Sequence, residues 1–215
     1  MTIHVCPDGL YLQSVMSRLR DVTTSKEEFR RNAHLLGDIL MIEVINRGLI
    51  PMKFHNLLTP TDSVVPNSLG LDKSSRICIV PIIRAGLSFV ESALRILPHT
   101  VDIGHLVIQR DEETAKPTTL LDKLPTNIAD YDRVIILDPM LATGGSVISA
   151  IDCVVAKGVK EDKIVLVHAL AAPEGLEAVA SRFGSISGVV GVVDEQLNEK
   201  KYIVPGLGDW GDRYN

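Results

Sequence analysis

Val134-Ile135-Ile136-Leu137-Asp138-Pro139-Met140-Leu141-Ala142-Thr143-Gly144-Gly145-Ser146 decides how the rest of the protein is read. Its first four residues are a short apolar run of the kind a strand buried on both faces needs. The run halts at Asp138, and Pro139 argues against continuation of an ordinary ladder. Past the small and hydroxyl residues, Val147, Ile151, Val154 and Val155 recur at helical spacing. A carboxylate therefore stands at the carboxyl end of a strand, and a glycine-bearing loop opens the next helix. The first N–H groups of a helix lack internal partners and sit at the positive end of its dipole, so such a turn cradles a phosphate. Thr143 and Ser146 add hydroxyl donors, and Asp138 suits the hydroxyls of a sugar. Together they describe a site for a ribose 5-phosphate. The plainer reading, a strand–loop–helix with Thr143 or Ser146 as N-cap, leaves Asp138 without a purpose.

The segments on either side repeat the strand-then-helix pattern. Arg76 to Ile83 reads as a buried strand, followed by Arg84-Ala85-Gly86 and a helical pattern through Leu87, Val90, Ala93, Leu94 and Leu97. Val101 to Gln109 reads as a strand broken at Asp102 and His105, and it delivers Arg110 to its carboxyl end. Cations at such ends lie where open α/β sheets bind ligands, and an arginine fork grips two phosphate oxygens at once. Further strands are expected over Lys163–Leu170 and Ser187–Val193, with Pro173 starting the helix between them. His168, within a strand, reads as a satisfied core histidine.

Towards the N-terminus, Leu10–Leu19 reads as an amphipathic helix. Ser25 and Glu28 form a capping box for a second helix carrying Phe29, Ala33, Leu36 and Leu40, with Gly48 as its stop. Turn formers between Pro51 and Ser75 predict irregular structure or a two-stranded excursion. Lys116 to Asp130 reads as a flap or dimer arm. The alternation predicts an α/β fold, a mostly parallel sheet flanked by helices, in a single domain over residues 1–215.

At 215 residues, 46% hydrophobic and with a net charge of −5, the protein can bury a sizeable core but has no basic footprint for nucleic acid. No stretch is long enough to span a membrane, and no basic-then-apolar leader opens the sequence. Cys6, Cys78 and Cys153 are scattered without metal-ligand spacing, which points to reduced thiols and a cytoplasmic protein.

Near the C-terminus, Gly206-Leu207-Gly208-Asp209-Trp210-Gly211 matches the dinucleotide fingerprint G-x-G-x-x-G in form only, because no helix and acidic residue follow as that motif requires. The glycines read instead as a loop whose backbone approaches a flat ligand closely. Backbone carbonyl and N–H groups can pair with the edge of a pyrimidine and reject a mismatched base by leaving buried groups unsatisfied.

Asp138 to Ser146 resembles the phosphoribosyl diphosphate (PRPP) motif of type I phosphoribosyltransferases, in the form found in uracil phosphoribosyltransferases. There Asp followed by Pro replaces two adjacent acidic residues. Arg84-Ala85-Gly86 is similar to that family's diphosphate loop, Arg110 to Thr114 to its second diphosphate segment, and Tyr202 to Arg213 to its uracil loop. The resemblance implies catalytic roles for Asp138, Arg84 and Arg110. It implies PRPP contacts from these three and from Pro139, Met140, Leu141, Ala142, Thr143, Gly144, Gly145, Ser146 and Asp209, and uracil contacts from Ile203, Gly208, Asp209 and Trp210. It further implies Mg²⁺ carried on PRPP, with no metal held by protein side chains, and a homodimer or larger assembly.

Two departures stand out. Trp210 occupies a place where many members have Ala, and the sequence stops at Asn215 without a Phe-Gly-Thr-like tail. Asp212 and Arg213 are expected as a structural ion pair. A pyrimidine-responsive RNA-binding regulator on the same fold is disfavoured by the net acidity. A catalytically silent nucleotide sensor is disfavoured by intact Asp138, Thr143 and Arg84.

Overall fold

The computed structural model describes residues 1–97, 101–110 and 117–215, and the side chains of residues 109, 110, 117 and 118 also fall outside that description. The fold opens with a strand the sequence reading passed over, β1 (Thr2–Val5). Helices α1 (Leu10–Arg20) and α2 (Lys26–Asn46) follow, the latter N-capped by Ser25, whose hydroxyl accepts from Glu28 N–H at 3.2 Å. Such a cap is worth about 1 kcal/mol. Next comes a hairpin of β2 (Met52–Leu58) and β3 (Val64–Leu71), the two-stranded excursion expected there.

The middle of the main sheet begins with β4 (Ile77–Ile83), six of whose seven residues are buried. A 3-10 turn over Ala85–Phe89 leads into α3 (Val90–Ile96), so the expected helix starts in tighter form. The expected strand after it is two pieces, β5 (Val101–Ile103) and β6 (His105–Arg110). β7 (Pro117–Lys123) pairs antiparallel with β6, so part of the expected flap or arm is an edge strand. Then follow β8 (Arg133–Leu137), β9 (Met140–Leu141), α4 (Gly145–Ala156) and the fully buried β10 (Ile164–Ala171). Last come α5 (Pro173–Ala180), β11 (Ser187–Val193), the short pair β12 (Gln196–Leu197) and β13 (Ile203–Val204), and α6 (Trp210–Tyr214).

Strand order in the main sheet is β1-β11-β10-β8-β4-β6-β7, with β5 beside β4 and β9 beside β10, and every pairing except β6–β7 is parallel. One face is covered by α1, α2, the α3 region and the C-terminal segment, through Leu19, Phe29, Leu36, Leu40, Phe89 and Trp210. The other is covered by α4 and α5, through Val147, Ile151, Val154 and Val179. Burial on both faces explains why β4, β8 and β10 read as nearly continuous apolar runs.

Candidate active site

Because β8, β4 and β6 are neighbours and parallel, their carboxyl ends bring Asp138, Arg84 and Arg110 to one edge of the sheet. Arg110 closes β6, and its side chain lies outside the described residues. Arg84 is exposed, whereas Asp138 is 8% exposed and its N–H donates to Val167 O at 3.2 Å. Contrary to the expectation from Pro139, the ladder does not end there. Leu137 pairs with Val167, and Met140 pairs with Leu170 in the same register. Proline removes one donor only, and its carbonyl accepts from Ala169 N–H at 2.9 Å and Leu170 N–H at 3.0 Å.

The backbone leaves the sheet after Leu141. Gly144, at φ +81°, makes the turn into α4 and, having no side chain, places no capping oxygen over the first N–H groups. Thr143, Gly145 and Ser146 are half-buried around that turn, while Pro139 and Leu141 are buried in the sheet. The loop after β4 rests directly on the end of β8. A Cβ at Gly86 would stand 2.2 Å from Leu137 O, so no other residue permits this approach. The Ile83–Arg84 peptide in this loop is cis.

The C-terminal loop is pinned from two sides. Arg20 holds Asp194 through both carboxylate oxygens, at 2.8 and 2.6 Å, and Gly206 O at 2.7 Å. Gly206 N–H in turn donates to Asp194 Oδ2 at 2.8 Å. The sequence reading missed this clamp, although Asp194 follows an apolar strand just as Asp138 does. On the other side Arg213 donates to the carbonyls of Leu19, Leu207 (3.0 Å) and Asp21 (2.6 Å), with its guanidinium 4.6 Å from the Phe29 ring centre. It therefore serves as a structural anchor through carbonyls, and its expected ion pair with Asp212 is not formed. Asp212 N–H instead caps onto Asp209 Oδ1 at 2.9 Å. The Trp210 ring is 2% exposed, meets Phe29 and Phe89 edge-on at 5.2 and 5.6 Å, and donates from Nε1 to Ser88 Oγ at 3.1 Å. An indole this large is accommodated because it points into the core, with its one polar atom satisfied.

Two adjoining cavities result. One, of about 300 Å³, puts Met140 and Ala142 of the central stretch opposite Ile203, Gly208, Asp209 and Trp210, with Lys200, Lys201 and Tyr202 alongside. The other, of about 640 Å³, joins Arg84 and Ala85 to Met140, Asp209 and Trp210. Segments more than a hundred residues apart thus share walls. His168 departs from expectation: its Nδ1 lies 2.5 Å from Asp138 O, but its buried Nε2 has no partner among the described residues. Also among the described residues, no three metal-ligating side chains cluster. The exposed Asp209 carboxylate in the same cavity as Arg84 does suit a hard cation that brings most of its oxygen ligands from a phosphorylated substrate.

Residues 6–215 match the family model described as uracil phosphoribosyltransferase. A uracil phosphoribosyltransferase of Dictyostelium discoideum is 40% identical over 205 residues, covering 94% of this chain and 91% of that protein. One from Nicotiana tabacum is 38% identical over 213 residues, 99% and 93% of the two chains. A solved protein from Aquifex aeolicus superposes with a TM-score of 0.85 at 35% identity, over 99% of this chain and 97% of that one. A hypoxanthine-guanine phosphoribosyltransferase from Bacillus anthracis shares the fold at a TM-score of 0.51 and 14% identity, over 79% and 80% of the two chains.

Proposed function

The chain belongs to the uracil phosphoribosyltransferase family, which converts uracil and PRPP to UMP and diphosphate, and from that premise we propose where each substrate group sits. The diphosphate occupies the larger cavity against Arg84, and Arg110, which ends the neighbouring β6, is its second cation. The ribose hydroxyls meet Asp138, and the 5′-phosphate seats on the turn from Ala142 to Ser146 at the start of α4. Uracil lies in the smaller cavity, edge-paired by the backbone of Ile203 and of Gly208 to Trp210.

In this arrangement the chemistry is displacement at the anomeric carbon through an oxocarbenium-like transition state. Arg84 and Arg110 stabilise charge gathering on the departing diphosphate, which is electrostatic stabilisation aimed at the transition state. The Asp138 carboxylate orients the ribose and offsets positive charge on its ring. The phosphate nest contributes binding energy remote from the reacting carbon, which holds that carbon in line between the two cavities. Asp209 is the side chain that would face a Mg²⁺ carried on PRPP, and such an ion would neutralise diphosphate charge.

We further propose a cytoplasmic enzyme of one domain over residues 1–215 that works as a dimer or larger assembly. Exposed Phe54, Leu58, Val64 and Leu69 on the β2–β3 hairpin supply an apolar face for a second copy.

The observation that carries the reading is the shared wall between Met140–Ala142 and the C-terminal loop. A turnover assay with PRPP and five bases (uracil, cytosine, hypoxanthine, guanine, orotate) tests it. Uracil is expected to exceed each of the others in kcat/KM by at least about 10³-fold, as befits a site that pairs polar edges. Comparable turnover of a purine would refute the assignment of the loop.

A further inference from the structure

His168 has no exposed surface and sits in β10, all eight of whose residues are buried. Its Nδ1 is 2.5 Å from the backbone oxygen of Asp138. A carbonyl only accepts, so Nδ1 carries the proton and donates, which leaves Nε2 as the bare acceptor. That acceptor has no partner among the described residues. Burial also pushes the ring's pKa down to about 4, so the imidazole is neutral at ordinary pH. An unpaired buried acceptor opposes folding, and an aliphatic side chain in this apolar strand would avoid that cost. Local rules broken in this way mark functional positions.

The position is informative. Side chains on a strand alternate faces with a period of two. Leu137 and Met140, three residues apart, nevertheless pack on the same α2-covered face, and so do Val167 and Leu170 opposite them. The alternation breaks between Asp138 and Met140 on one strand and between Ala169 and Leu170 on the other, Val167 and Ala169 keeping the regular period across His168, while the register stays the same. At this rotated step the Asp138 carbonyl is taken by a side chain, that of His168.

We propose that His168 is a positioning residue of the active site: its Nδ1–H holds the Asp138 carbonyl, fixes the rotated step after β8, and so sets the direction in which the Asp138 carboxylate meets the ribose. This rests on the reading of Asp138 as the ribose carboxylate.

Steady-state kinetics on the full-length protein test it, using wild type, His168→Asn, His168→Leu, Asp138→Asn and the His168→Leu/Asp138→Asn double variant. Asn places an amide N–H where Nδ1–H stands, whereas Leu fills the volume without a donor. His168→Leu is expected to lower kcat by about tenfold or more while KM for uracil stays within about twofold, as misaimed catalytic groups do. His168→Asn is expected to retain kcat within about threefold, and His168→Leu to cost nothing further once Asp138 is Asn. Equal kcat in the Leu and Asn variants, whether both intact or both impaired, would overturn the inference. Wild-type turnover in Asp138→Asn would overturn the reading beneath it, with His168 untouched. If His168→Leu fails to fold, His168→Gln replaces it. Its amide reaches towards Nε2 and not Nδ1, so it should lose kcat where Asn does not, and parity between them would be equally damaging.

Discussion

Arg84 is a lone cation on an exposed loop by any local criterion, and its meaning comes from where β4 ends. Replacing it with Ala should raise KM for PRPP by about tenfold or more, roughly 1.4 kcal/mol of binding, and move KM for uracil far less. Titration calorimetry showing unchanged PRPP affinity would remove Arg84 from the diphosphate site. His168 makes a prediction about stability. Unfolded, it titrates near the usual 6.5, and folded, burial lowers it to about 4. Between those values the unfolded state binds a proton that the folded state excludes. The His168 contribution is therefore whole above about pH 6.5 and declines as pH falls towards 4, by up to about 3 kcal/mol. Urea unfolding near pH 7 and pH 4.5 should show a larger loss for wild type than for His168→Leu, and equal losses would contradict the burial argument. At this scale the sequence disclosed residue types and strand ends. It did not disclose that Trp210 turns inward to Ser88, because an indole and a base-binding loop are equally compatible with the same letters.

Elements were the most legible level where the hydrophobic period was clean. β4, β8, β10 and β11 read as apolar runs because parallel strands are buried twice, and α2 announced itself through Ser25 and Glu28. β1, β12 and β13 went unread because strands of two to four residues leave no periodic signal. β9 was hidden by Pro139, whose missing N–H removes one donor while its carbonyl still accepts from β10. The Arg20–Asp194 clamp was invisible for another reason, since its partners are 174 residues apart. It should act on the loop as a unit. Arg20→Met leaves Asp194, with a side chain only 4% exposed, as a buried carboxylate without its counter-ion. Such a loss costs about 3 kcal/mol or more. It should also raise KM for uracil by about tenfold while PRPP is affected little, because the Gly206 carbonyl loses Arg20 and keeps only its N–H bond to Asp194, whereas the Arg84 loop is untouched. A variant with unaltered uracil KM would show that the loop keeps its shape without the clamp.

On the scale of the whole molecule, the parallel sheet does what no single segment can. Its strand order gathers the ends of β8, β4 and β6 along one edge, and the C-terminal segment then crosses to meet them. Alternating strands and helices made that sheet legible, but the position of β7 at its edge was not, since a polar stretch with two prolines reads as a flap. The meeting of the Ala142–Ser146 turn with the glycine loop was legible only through family likeness, because no periodicity encodes a contact between Met140 and residues sixty or more positions later. The most direct test is a crystal structure with UMP bound. One nucleotide should span the site, its phosphate on the backbone of Ala142 to Ser146, its ribose hydroxyls on Asp138 and its base edge on Ile203 and Gly208 to Trp210. A nucleotide whose phosphate reaches that turn while its base lies away from the C-terminal loop would contradict the account.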